Sequence, residues 1–276
     1  MMAYLGPSGT FSHAAAKGYI QKKGIKTEIR EYPAIYMAIK AVADGTADTA
    51  IVPIENSIEG SINVTLDALA FDVNLFIIDE FVLQVEQNIL VKPGVKKEDI
   101  KKIISHPQAI GQCSKILSDD FGNCEIESAA STSFAAKAAA ESDGSIAAVG
   151  SASGAEVYGL EILRQNCGDN KDNRTRFAVI SQNRCFEVSE NDKTSIAFIL
   201  PRNVPGCLCK ALSVFEEKNI NILKIESRPR KTALGEYVFF VDIEGNSDNP
   251  DIYFALDRIR QNADFYKFLG SYKTDG

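Results

Sequence analysis

Thr49-Ala50-Ile51-Val52-Pro53-Ile54-Glu55-Asn56-Ser57 is an apolar run closed by three polar side chains. A short apolar run bounded in this way reads as a buried strand. The run from Ile62 to Ala70 follows as a helix. Upstream, Ala3-Tyr4-Leu5 is a strand that leads through Gly6-Pro7-Ser8-Gly9-Thr10 into an alanine-rich helical run from Phe11 to Tyr19. Thr27 to Tyr32 reads as another strand, and Ile35 to Ala43 has the apolar spacing of a helix. This βαβα rhythm predicts a mostly parallel sheet covered by helices.

Further along, Leu75 to Phe81 and Leu83 to Val91 are extended runs that look like a crossover into a second lobe. Ile103-Ile104-Ser105 is a strand whose end carries His106-Pro107-Gln108, and a helix follows through Leu117. Thr132 to Glu141 is a helix and Ile146 to Gly150 a strand. The region from Ser153 returns to the first lobe and ends at Asn173-Arg174-Thr175-Arg176-Phe177, the mouth of the apolar strand Phe177-Ala178-Val179-Ile180. Two α/β lobes joined by two crossovers leave a cleft, and clefts at lobe boundaries favour ligands. The expected division is one lobe over about 1–78 and 158–181, the other over about 79–157, and a polar, turn-rich linker over 182–192. Beyond the linker the pattern changes. Thr194–Leu200, Pro205–Asn219, Ile222–Ser227, Glu236–Ile243, Pro250–Asn262 and Phe265–Leu269 read as βαββαβ, the ferredoxin-like split motif, over 193–276.

The chain has 276 residues, a formal charge of −7 and a pI near 5.1. That balance argues against nucleic acid as a partner, since a phosphate binder needs a basic face. The N-terminus lacks the basic and apolar regions of a signal peptide, and no apolar run approaches a membrane span, so a cytoplasmic protein is expected. The six cysteines form no CxxC pair, and only His13 and His106 are present. Free thiols and no metal site are the expectation. The glycine loop at Gly6 is not GxGxxG, so dinucleotide binding is unsupported.

Candidate ligand groups recur at strand ends. Gly6–Ser12 can cap a helix or bind a carboxylate on free amides. In Glu55–Ser61, Asn56 and Ser57 can hydrogen-bond an anion, while Glu55 can instead hold an arginine. His106 is a capping or wall residue more than a base, because no acid orients it locally. Ser131-Thr132-Ser133 is an N-cap run, and Ser151-Ala152-Ser153-Gly154 ends another strand. Four such ends in succession suit a cleft that grips a multi-anionic small molecule. Arg176 reads either as a surface ion pair or as a bidentate carboxylate clamp.

Taken together these blocks resemble the prephenate dehydratase family. The matching segments, in family order, are Gly6–Ser12, Val52–Ser57 with Glu59-Gly60-Ser61, Ser105–Ala109, Ser131-Thr132 and Thr175-Arg176-Phe177. In the second domain, Ile225-Glu226-Ser227-Arg228-Pro229 is similar to the Glu-Ser-Arg-Pro motif of that family's ACT domain. The family's Gly-Ala-Leu segment stands here as Gly206-Cys207-Leu208, and Gly150–Ala155 is richer in glycine than the usual stretch.

The resemblance implies a two-lobed, periplasmic-binding-protein-like (type 2) catalytic domain followed by a ferredoxin-like ACT domain. The implied reaction turns prephenate into phenylpyruvate, water and carbon dioxide, with no cofactor. It implies Thr175 as hydrogen-bond donor or acid to the leaving hydroxyl, Arg176 as carboxylate anchor and Phe177 as packing for the ring and exclusion of water. Thr10, Asn56, Ser57, Ser131, Thr132 and Asn173 are implied to orient substrate. Asn203, Pro205, Gly206, Cys207, Leu208, Glu226, Ser227, Arg228 and Pro229 are implied to bind L-phenylalanine between subunits of a homodimer or homotetramer. Alternatives are an arogenate dehydratase and a non-catalytic amino-acid sensor. A fused chorismate mutase is disfavoured, because the dehydratase motif begins at Gly6.

Overall fold

The computed structural model describes residues 1–185, 187–201, 204–230 and 236–275. Along the chain the strands are β1 (Met2–Leu5), β2 (Ile29–Tyr32), β3 (Thr49–Asn56), β4 (Gly60–Ser61), β5 (Phe76–Gln84), β6 (Asn88–Val91), β7 (Lys102–Ser105), β8 (Glu125–Ser128), β9 (Ile146–Gly150), β10 (Glu161–Arg164), β11 (Arg174–Ser181), β12 (Asp192–Ile199), β13 (Ile222–Pro229), β14 (Tyr237–Glu244) and β15 (Phe265–Lys273). The α-helices are α1 (Phe11–Lys23), α2 (Ile35–Ala43), α3 (Asn63–Asp67), α4 (Pro107–Gln112), α5 (Ser114–Phe121), α6 (Thr132–Glu141), α7 (Ala152–Tyr158), α8 (Cys207–Glu217) and α9 (Pro250–Asn262).

Three sheets form, in strand orders β2-β1-β3-β11-β5, β10-β6-β9-β7-β8 and β13-β14-β12-β15, with β4 turning back on β3. The chain divides into two compact units. One holds Met1–Ala38, Ile51–Asn63 and Val82–Phe177; the other holds Ile39–Ala50, Val64–Phe81 and Ala178–Gly276.

In the first unit, β1 and β2 run parallel, Met2 opposite Ile29. The second sheet is mixed. Strands β7, β8 and β9 are parallel, while β6 runs antiparallel to β9 and β10 antiparallel to β6. The pairing of β10 with β6 keeps Glu161–Arg164 in this second sheet, so the chain returns to the first lobe after residue 164 and not from Ser153. One face of the sheet buries Ile89, Val91, Ile103 and Val149 with Cys113, Leu117 and Cys167. The other buries Leu90, Ile104 and Ala148 against the alanines of α6. Burial pushes the Cys113 thiol up to about 12, with Cys167 beside it, and raises Cys167 as well. Both thiols are therefore inert packing groups.

Two helices depart from the sequence expectation. The run predicted over Ile62–Ala70 is α3, which passes directly into a π-helical turn over Ala68–Asp72. The helix expected from Pro107 through Leu117 breaks at Cys113, whose backbone leaves the helical region. Asp169 causes the break. Its N–H takes the Gln112 carbonyl at 2.6 Å, and its carboxylate accepts from Ser114 Oγ at 2.8 Å and the Lys115 amide at 3.3 Å, capping α5. One aspartate thus ends α4 and starts α5.

In the second unit, β12–β15 with α8 and α9 form the expected βαββαβ module. Its core is Ile196, Phe198, Val241 and Ile243 from the sheet against Phe215, Ile252, Leu256 and Ile259 from the helices. The same unit contains Asp67, whose carboxylate binds Arg228 of β13 at 2.6 Å, and the buried pair Lys193–Glu80 at 3.0 Å. Arg184 lies over the rings of Phe76 and Phe268, about 5 Å from each centroid.

Candidate active site

The strand ends of the first unit enclose a cavity of about 270 Å³. Its polar walls are Thr10 and Ser12 at the start of α1, Asn56 at the end of β3, Glu59 in the turn after it, Gln87 before β6, His106 at the cap of α4 with Gln108 and Gln112 on it, Ser131 and Thr132 at α6, and Asn173 and Thr175 at the start of β11. Phe177, 1% exposed, forms an apolar wall.

Hydrogen-bond polarity in this cavity is set by the backbone. Asn56, 8% exposed, accepts from the amides of Ile58 and Glu59, both at 3.0 Å, on its Oδ1. Its Nδ2 therefore faces the other way and donates to Asn173 Oδ1 at 2.9 Å, Arg174 O at 3.1 Å and Thr175 Oγ1 at 2.9 Å. Thr175 receives a hydrogen bond on its oxygen, so its own hydrogen remains for a group in the cavity.

The capping residues are tied to the backbone. Thr10 Oγ1 accepts from the His13 amide and donates to Leu5 O, both at 3.3 Å. Ser131 Oγ accepts from the Phe134 amide at 3.0 Å. His106 caps α4, with Nδ1 accepting from the Gln108 amide at 3.3 Å. That acceptance places the neutral ring's proton on Nε2.

The glycine loop is a structural clamp. Ser151 Oγ donates to Gly9 O at 2.8 Å, and Ser133 Oγ donates to Ser8 O at 2.6 Å. The Gly9 amide donates to His13 Nδ1 at 3.0 Å. Burial first, and then Lys17, lowers the His13 pKa, so the ring stays neutral and serves the loop as an acceptor. Gly9 has φ +88°, and a Cβ there would sit 3.2 Å from Gly154 Cα and 3.3 Å from Ser133 Oγ. A Cβ on Gly154 would in turn sit 3.2 Å from Gly9 O, which favours a glycine at position 154.

Two sequence assignments need correction. Side chains alternate along a strand, so Arg176 cannot share a face with Thr175 and Phe177. Its guanidinium lies on Glu55, with Nε at 3.2 Å and the terminal nitrogen at 2.9 Å from Oε2. Arg176 is absent from the cavity lining. The clamp expected on a substrate carboxylate is a clamp on Glu55. Ser57 also turns to the protein: its Oγ accepts from the Arg174 amide at 2.9 Å and donates to Asp172 O at 3.2 Å. It staples the segment that presents Asn173 and Thr175.

Gln87 and Gln112 were not predicted as site residues. The signal for Gln87 was present: Val85-Glu86-Gln87-Asn88 interrupts an apolar extended run with polar groups. Asn173 Nδ2 donates to Gln112 Oε1 at 3.2 Å, and Gln87 Nε2 donates to the same oxygen at 3.3 Å.

In the second module, Pro205, Gly206, Cys207 and Leu208 line a surface cavity that excludes Glu226–Pro229. Glu226 pairs with Lys224 and Arg228 with Asp67. Asn203 lies outside the described residues. Among the described residues no cluster of three or more His, Cys, Asp or Glu could hold a metal, and no helix is long and apolar enough to cross a membrane.

A cavity walled by amides and hydroxyls at converging strand ends, followed by a ferredoxin-like module, defines a two-part α/β protein with a small-molecule site and an appended ferredoxin-like domain. The prephenate dehydratase family matches residues 2–185, and the ACT domain family matches residues 194–261. The prephenate dehydratase of Lactococcus lactis subsp. cremoris is 37% identical over 277 residues, spanning 99% of this chain and 97% of its own length. That of Bacillus subtilis is 36% identical over 283 residues, spanning 99% and 98%. The crystal structure of prephenate dehydratase in complex with L-Phe from Arthrobacter aurescens superposes with a TM-score of 0.90 at 33% identity, covering 99% of this chain and 89% of that one. The chain belongs to the prephenate dehydratase family and has its periplasmic-binding-protein-like catalytic fold with an ACT domain.

Proposed function

We propose that this chain converts prephenate to phenylpyruvate, water and carbon dioxide, under control by L-phenylalanine at its ACT domain. The observation that carries the active-site reading is the Asn56–Thr175 hydrogen bond, which leaves Thr175 as a donor in the cavity.

The reaction breaks the bond between the ring and its carboxylate. The electron pair moves through the ring diene and expels the hydroxyl at the opposite carbon, and aromaticity drives the change. The dianion takes up one proton overall, which ends in the released water. A threonine hydroxyl is too weak an acid to supply that proton unaided. Thr175 instead donates a hydrogen bond to the departing oxygen as its charge develops, and the proton comes from solvent. The retained carboxylate is held without a cavity arginine, by the N-termini of α1 and α6 and by the hydroxyls and amides around them. Phe177 packs on the ring and keeps water from the carboxylate that must lose its charge.

Pro205–Leu208 line a surface cavity that Glu226–Pro229 do not reach, and a phenylalanine site made from both segments draws one from each of two subunits. The reading therefore includes a homodimer or homotetramer in the cytoplasm. The test is incubation of the pure protein with prephenate, following phenylpyruvate with and without L-phenylalanine, beside a parallel assay with arogenate. Absence of turnover on either substrate would sink the reading. Sedimentation with and without L-phenylalanine tests the assembly.

A further inference from the structure

Gln87 is 4% exposed and lines the catalytic cavity. Among the described residues, its Oε1 is the one buried side-chain oxygen or nitrogen with no hydrogen-bond partner. An unpaired buried acceptor is costly, and a native fold keeps one where something else supplies the donor.

The orientation of this amide follows from the row it ends. The Ile58 and Glu59 amides fix Asn56 Oδ1, which turns Asn56 Nδ2 to Asn173 Oδ1. That in turn points Asn173 Nδ2 at Gln112 Oε1. Gln112 Oε1 is then an acceptor, and Gln87 must present Nε2 to it, which sends Gln87 Oε1 away from Gln112. Reversing Gln87 alone would set two carbonyl oxygens against each other. Reversing the whole row would set Asn56 Nδ2 against two backbone N–H groups.

We propose that Gln87 Oε1 accepts the hydrogen of the substrate's ring hydroxyl, the group that leaves. This rests on the reading of prephenate as substrate. Prephenate as a dianion has two carboxylates, a ketone and one hydroxyl, so it carries a single hydrogen-bond donor. The buried acceptor left unpaired in the cavity wall meets that one group. The hydroxyl oxygen is then gripped from both sides. Its hydrogen goes to Gln87, and its lone pair is turned to the Thr175 hydroxyl. Gln87 fixes the rotation of the carbon–oxygen bond that breaks, and it continues to hold the oxygen as water forms.

The experiment compares wild type with Gln87→Met and Gln87→Glu. Methionine keeps the length of the side chain and removes the unpaired acceptor. Gln112 Oε1 keeps its bond from Asn173, so the unfolding temperature of Gln87→Met should hold or rise. Its kcat/KM should fall about ten- to a hundredfold, the range for losing one hydrogen-bond partner of a substrate group. A purely structural glutamine would show the opposite pattern, a lower unfolding temperature with activity retained. Gln87→Glu should regain activity as pH falls, because the neutral acid restores both a donor to Gln112 and an acceptor for the hydroxyl, and the carboxylate does not. Prephenate and arogenate are run side by side. Loss on both supports the proposal. Loss confined to arogenate, whose ammonium is a second donor, overturns it, as does unchanged turnover on both. A wild-type protein inactive on prephenate would instead remove the substrate assignment, and the variants would not be needed to see it.

Discussion

Thr175→Val isolates the hydroxyl that the active-site reading depends on. Valine matches threonine in shape, so the Phe177 wall and the β11 backbone are undisturbed. The structural cost is small. Asn56 Nδ2 loses one of three acceptors and retains Asn173 Oδ1 at 2.9 Å and Arg174 O at 3.1 Å. A net cost of about 1 kcal/mol follows for one hydrogen bond of this kind, which lowers the unfolding temperature by only a few degrees in a chain this size. The catalytic cost is larger, because the donor meets charge that appears only as the oxygen departs. Removing one such donor costs about 3–4 kcal/mol, or about 10²–10³ in kcat. KM should stay within a few-fold, since the bond matters little before the transition state. Thr175→Ser keeps the hydroxyl and should recover most of the rate. The assay is single-turnover formation of phenylpyruvate at saturating prephenate, with unfolding temperatures measured on the same samples. Turnover of Thr175→Val within about threefold of wild type would refute the argument. So would a serine variant as slow as the valine one, which would make the methyl group, not the hydroxyl, the working part.

Because Arg176 is held by Glu55, the double variant Arg176→Gln/Glu55→Gln should bind prephenate with KM within about fivefold of wild type, whereas a true substrate clamp would raise KM by a hundredfold or more. Gly9→Ala should destabilise by about 1–3 kcal/mol, from its positive φ and the crowding against Gly154 and Ser133, visible as a drop in unfolding temperature. His13 has a folded pKa below its ordinary value of 6.5, so the unfolded chain binds the extra proton. Its contribution is therefore intact above 6.5 and lost as pH falls from there to the folded value. Wild type should lose more unfolding temperature than His13→Asn between about pH 8 and pH 5.

Part of this site was legible from residue order, because polar groups closing apolar strands gather at one strand-end cavity, although Ser57, Ser133 and Ser151 turn to the protein instead. Asn56 and Ser131 stand out as polar groups at strand ends, Thr175 and Phe177 through the family resemblance, and all four line the cavity. Arg176 was misassigned because charge and hydrogen-bonding capacity were read without the two-residue alternation of β11, which alone decides which side chains share a face. The helix break at Cys113 was hidden for another reason. Its cause, Asp169, lies far along the chain and acts only through tertiary contact. The return point was misjudged because Glu161–Arg164 is a short, half-polar strand, and only its pairing with β6 assigns it to the second sheet. The helices Thr132–Glu141 and Pro250–Asn262 match to the residue, since Ser131 and Asn249 cap them with side-chain bonds visible as sequence signals.

The sulfurs of Cys113 and Cys167 sit in the core of the second sheet, while Cys209 is exposed. A thiol reagent can therefore act as a clock. Cys209 reacts at once and marks time zero, and the two interior sulfurs react only when β6, β7 and β9 part from α4 and α5. The slow phase measures the opening free energy of that one layer in the intact chain. It reports how firmly α4, which carries Gln112, is held on its sheet while the rest of the protein stays folded.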